Sequence, residues 1–170
     1  SSGNAEHVLE YLDKGLIDFG LLFIEIDPQK YEAIPLPLKD SWGVLMRNDS
    51  PLAQKQEIAP EDLWDKPLIV SHQKGDNHYL ESWLRKKESE LNIVATYNLI
   101  FNASLLVDEG LGYALCYDKL INTRGGNLCF RPFSPPLEAN SFIVWKKYQV
   151  FSKAANLFLQ YLKEMIKEEN

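Results

Sequence analysis

Three short stretches carry side chains able to hold a ligand: Ser2-Gly3-Asn4, the segment Ser71–Gly75 with His72 and Lys74, and Phe101-Asn102. Each precedes an expected helix. A helix N-terminus presents free N–H groups and a partial positive charge, so it attracts carboxylates and phosphates. Ser71 ends the apolar run "PLIV", at the carboxyl edge where open α/β sheets bind ligands. His72 and Lys74 can neutralise an acidic ligand, and Phe101 can wall it. Simpler roles stand beside these. Asn4 and Asn102 can be helix caps, Ser71 can satisfy a turn, and His72 can be a solvated loop residue. Phe23 and Leu22 close an apolar strand and can line a binding site, although Leu22 also suits the core.

Other chemistries lack their residues. His7, His72 and His78 have no metal-ligand spacing and no cysteine beside them, so no metal or cofactor is expected. There is no G-x-x-x-x-G-K loop and no G-x-S-x-G elbow. Asp18 follows a glycine at the mouth of a strand and Asp108 sits in the last turn of a helix, places that suit capping better than acid catalysis. Cys116 and Cys129 lie in strand-like runs and read as buried free thiols. No enzyme is expected.

Charge narrows the partners. The 170 residues carry 18 basic and 24 acidic side chains, a net charge of −6. Binding to nucleic acid rests on neutralising phosphates, so this chain is not expected to touch DNA itself. Its basic cluster Arg85-Lys86-Lys87 sits among Glu81, Glu88 and Glu90 and reads as a solvated helix face. No run reaches the roughly 20 apolar residues of a membrane span, and no signal peptide opens the sequence. A reducing cytoplasm is the expected compartment.

The elements that must position these residues alternate. Ala5, Val8, Leu9 and Leu12 make the stripe of an amphipathic helix that Gly15 ends. "LIDFGLLF" (16–23) predicts a strand buried on both faces, as in parallel sheets. "YEAIPLPL" and "SWGVLMR" predict two further extended segments. "PLIVS" (67–71) predicts a buried strand, followed by a helix over 77–88 and the strand "NIVATYNLI". In "SLLVDEGLGYALC" (104–116), Gly110 supplies the left-handed end of a helix capped by Asn102. Leu111 folds back, and Gly112 lets the next strand pass close to its neighbours. Strands at 113–116, 127–133 and "SFIVWKK" lead to a last helix over 152–167.

This order predicts an α/β fold with parallel sheets. The punctuated regions Asn48–Ala53 and Ser134–Pro136 bracket a middle block with its own β-α-β-α-β order. The expected division is 1–48 plus 137–170 as one lobe and 49–136 as the other, with a ligand cleft between them.

Five segments, "VLEYLDKGLIDFGLL", "DSWGVLMRNDSPLA", "EDLWDKPLIVS", "LLVDEGLGYALCYDKL" and "SKAANLFLQYL", resemble the C-terminal effector-binding domain of the LysR-type transcriptional regulators. The residue types that carry the resemblance are Gly15, Asp18, Pro51-Leu52-Ala53, Asp62-Leu63, Val107, Gly110 and Gly112. It covers essentially the whole chain. The family implies two Rossmann-like lobes of the periplasmic-binding-protein type 2, joined by two crossover strands, with a small effector gripped between them. It also implies a homo-oligomer that meets DNA through a separate winged helix-turn-helix. By position, Ser2, Asn4, Ser71 and Asn102 match places where the family contacts effectors, which transfers location and not chemistry. The family's first strand, first helix and most of its second strand have no counterpart here, so the first lobe is expected to be N-terminally truncated. The rival readings are a solute-binding protein of a transporter and an enzyme of the same bilobal fold.

Overall fold

The computed structural model describes residues 5–23, 26–72, 74–118 and 120–168. In chain order its elements are α1 (Ala5–Asp13), β1 (Gly20–Leu22), β2 (Tyr31–Arg47), β3 (Leu68–Ser71), α2 (Lys74–Leu84), β4 (Ile93–Tyr97), α3 (Ile100–Asp108), β5 (Tyr113–Tyr117), β6 (Leu128–Pro132), β7 (Glu138–Lys146) and α4 (Lys153–Glu168). Its contacts divide the chain into two compact units, Ser1–Lys39 with Asn140–Asn170, and Asp40–Ala139. Because β2 and β7 each contain one of these boundaries, the chain passes between the units twice, both times inside a strand.

In the first unit, α1 lays Ala5 and Leu12 against Leu22, Tyr31 and Val144. Gly15 ends the helix region with φ +66, a conformation that glycine takes without a Cβ penalty. β1 runs antiparallel to β7, Gly20 opposite Val144 and Leu22 opposite Phe142. The expected strand over 16–23 is therefore only three residues long and is not a parallel core strand, since Leu16 and Leu21 are exposed. The apolar residues just before it serve loop packing instead. Phe19 stacks on Phe151 at 5.0 Å and meets Phe158 at the same distance.

The second unit is built on the strand order β2-β5-β3-β4, with β6 also on β2. β3 is parallel to β4 and to β5, whereas β2 is antiparallel to β5 and β6. The sheet is mixed, which corrects the expectation of parallel pairing throughout. A second correction concerns the two segments at 31–38 and 41–47, which form one strand of 17 residues. Pro35 and Pro37 are two residues apart, so both missing donors fall on one edge of that strand and the other edge stays intact. Leu45, Ile69, Ala103, Val107, Ala114 and Cys116 form its core.

The end of α3 follows the sequence closely. Gly110 has φ +80; its N–H donates to the Val107 carbonyl at 2.9 Å, and the Leu111 N–H reaches back to Leu106 at 3.0 Å. This is the paired closure of a Schellman end, although Leu111 itself stays 43% exposed. A Cβ on Gly112 would lie 2.5 Å from the Pro67 carbonyl oxygen, so the close approach expected there is real. α2 begins three residues earlier than expected and stops at Leu84, because Arg85 turns to φ +54. That turn carries the Arg85 guanidinium over Trp64, 5.6 Å from the ring centre, and onto the Glu61 carboxylate.

Candidate functional site

β3 and β4 are adjacent and parallel, with Ser71 opposite Tyr97 at their carboxyl ends. The His72 N–H donates to the Tyr97 carbonyl at 2.9 Å, and the Tyr97 hydroxyl donates to the Leu115 carbonyl at 2.8 Å. These two bonds fix the strand ends to each other and to β5. α2 starts at Lys74, three residues past Ser71, and α3 starts at Ile100, three residues past Tyr97. Two helix N-termini therefore open on the same edge of one sheet, where their free N–H groups favour a negative ligand.

Of the residues expected to bind, Ser71, His72, Phe101 and Asn102 gather at this edge. Ser71 is buried and His72 exposed; Phe101 is 62% exposed on the first turn of α3, beside an exposed Asn102. Asn102 does not cap that helix. Leu99 holds the cap position with extended backbone (φ −117°, ψ 132°), and the Asn102 N–H donates to the Leu99 carbonyl at 3.0 Å. The carboxamide of Asn102 thus starts from inside the first turn. Gly75 lies within α2, so the segment read as a loop over 71–75 is shorter than expected. Phe23 belongs to the other unit, half-buried just past β1. Ser2 and Asn4 lie outside the described residues.

Sequence reasoning overlooked Tyr97. Its signal was present in the alternation of "NIVATYNLI", which puts Ile93, Ala95 and Tyr97 on one face, but only the parallel register sets Tyr97 against Ser71.

The cysteines take no part. Cys116 and Cys129 are both free, and burial pushes the Cys116 thiol up to about 12, against the opposing hydrogen bond at Leu45. The same effect raises Cys129, which is only half-buried. A thiol needs its thiolate to react, so iodoacetamide at neutral pH is expected to label Cys129 at least tenfold faster than Cys116 in the folded protein. Peptide mass spectrometry at timed intervals checks this; equal rates would contradict the burial of Cys116. No group of His, Cys, Asp and Glu among the described residues is arranged to hold a metal, and no described helix is long and apolar enough to cross a membrane.

The model of the LysR substrate-binding domain family matches residues 1–167. The uncharacterised HTH-type transcriptional regulator YvbU of Bacillus subtilis (strain 168) is 24% identical over 169 residues, 98% of this chain and 56% of that protein. HinK, a LysR family transcriptional regulator from Pseudomonas aeruginosa, superposes with a TM-score of 0.78 at 20% identity, over 98% of this chain and 59% of its own. The effector-binding domain of QuiR in complex with shikimate gives 0.82 at 18% identity, over 98% and 79%. The chain thus spans a little over half the length of the curated relative. The mixed sheet and the four α-helices of the described residues are those of the periplasmic-binding-protein type 2 fold, and the chain belongs to the LysR substrate-binding domain family.

Proposed function

We propose that this chain is the sensing part of a transcriptional regulator. On this reading it binds a small anionic metabolite at the carboxyl edge of β3 and β4, performs no chemistry on it, and acts on DNA through another part of the protein in the cytoplasm. The observation that carries the reading is the pair of helix N-termini on adjacent parallel strand ends, with the Ser71 hydroxyl and the Asn102 amide beside them. The ligand named for the QuiR domain, shikimate, is a carboxylate, which suits such an edge. Phe101, largely open to solvent, offers a wall for an apolar or ring-bearing part of the ligand.

A thermal-shift screen with small carboxylates, amino acids and aromatic acids tests the proposal. A ligand at a hundredfold over its dissociation constant adds about 2.7 kcal/mol, or roughly 5–10 °C for a chain of this size. Ser71→Ala combined with Asn102→Ala is expected to remove most of that shift while leaving the unliganded melt within about 3 °C of the parent. A full shift retained in the double variant would move the site elsewhere.

A further inference from the structure

Beneath α2, on the face of β3 turned away from the α3 core, lies a hollow of about 280 Å³, part of it open to solvent. Successive strand residues point to opposite faces, so β3 gives Ile69 to the core under α3 and Val70 to this hollow. Leu80 and Leu84 line it from the helix, Leu115 and Ile93 from the sheet, and Leu91 from the chain that leads into β4. The pairing is irregular here. Leu68 stands opposite Ile93 but Ile69 opposite Ala95, so Val94 is skipped. A bulge bends its strand, and the helix above does not meet the sheet evenly.

The walls are tied in place. The Trp64 indole N–H donates to the Leu84 carbonyl at 2.9 Å and anchors the end of α2. The Glu88 N–H donates to Glu81 Oε1 at 2.8 Å and straps the returning chain to the same helix. Apolar walls without partner atoms forfeit dispersion contacts, which a guest of matching size restores. A dry apolar cavity of about 150 Å³ holds one benzene ring.

Charge selects among guests of that size. Glu81 and Glu88 complete the lining, and among the described residues no cation does. The cations that follow α2 face other groups. Arg85 rests on Glu61 and over Trp64, and the Lys86 ammonium stands 5.1 Å from the centre of the Trp64 ring and 3.9 Å from Glu90. Lys87 lines a separate groove with His78 and Ser82, and Glu81 borders both spaces.

We propose that this hollow is a second ligand site, taking a cationic amine of one ring's size with its ring among the leucines and its ammonium at Glu81 and Glu88. Titration of the 170-residue chain with benzylamine, benzyl alcohol and benzoate, followed by amide NMR shifts, is the test. Saturable shifts at Leu84, Leu91 and Ile93 are expected with benzylamine, at an affinity about tenfold above that of benzoate, whose charge the two carboxylates repel. Val70→Ile pushes a further methyl group into the space. It should weaken benzylamine about fivefold and melt no lower than the parent, as filling a void does. Glu81→Gln with Glu88→Gln keeps an oxygen to accept the strap bond but removes both charges, so benzylamine should then bind no better than benzyl alcohol. The proposal is overturned if benzylamine moves only Phe101 and Asn102 at the strand-end site, or moves nothing. It is equally overturned if benzoate matches benzylamine in the hollow, or if either variant leaves benzylamine binding unchanged.

Discussion

Trp83→Ala, in the Asp40–Ala139 unit, is expected to cost about 3–5 kcal/mol. The Trp83 ring stacks on Phe133 at 3.7 Å with 11° between the planes, and its indole N–H donates to the Pro135 carbonyl at 2.6 Å. Phe133 is itself 2% exposed and bonded through its backbone to Trp42 at 3.1 Å. Removing the indole therefore opens a void against a residue that the sheet holds in place, and leaves a carbonyl without its donor. A fall in melting temperature of about 8–15 °C follows for a chain of this size. Trp83→Phe separates the two contributions. It keeps an aromatic face on Phe133 but loses the hydrogen bond and the volume of the second ring, so about 1–2 kcal/mol should go. A loss below about 1 kcal/mol for the alanine variant, by urea titration, would mean that the stack contributes little.

Gly43→Ala should be nearly as damaging, although it adds a single methyl group. Gly43 lies in β2 between Cys116 of β5 and Pro132 of β6. A Cβ there would stand 2.3 Å from the Arg131 carbonyl oxygen and 2.3 Å from the Phe130 ring. The ring can turn aside, but the carbonyl belongs to a paired strand and cannot. Overpacking costs typically 1–3 kcal/mol and more where the backbone must yield, so about 3 kcal/mol is expected. Gly125→Ala is the contrast. It carries φ +72 with nothing within 4 Å of the added atom, so it should cost only about 1 kcal/mol. Thermal melts followed by circular dichroism rank the two; equal losses would refute the steric account.

How far the fold was legible depended on how local its causes are. The apolar stripe of α1, the glycine end of α3 and the close pass at Gly112 are set by residues within a turn of each other or by one backbone contact, and the sequence displays them. Strand length and direction are not local. "LIDFGLLF" carries enough apolar residues for eight positions of strand, yet Phe19 spends its ring on Phe151 and Phe158, more than 130 residues away in sequence. The prolines of β2 look like breakers until it is known which edge of the strand they face. At the candidate site the same division holds. Ser71 and Asn102 stand out because serine and asparagine after apolar runs are visible, but the capping role read for Asn102 fails, since Leu99 needs no polar side chain to stand at a helix start. Tyr97 became visible only through its neighbour across the ladder.

The double passage of the chain through β2 and β7 also orders events during synthesis. The Asp40–Ala139 unit is one unbroken stretch and can complete its pairings as soon as that stretch has left the ribosome. The other unit must wait. β1 has its partner at Phe142–Val144, so it stays single until more than 110 further residues have been made. Its apolar face spends that interval uncovered, which makes the stretch around β1 a segment for a chaperone to shield.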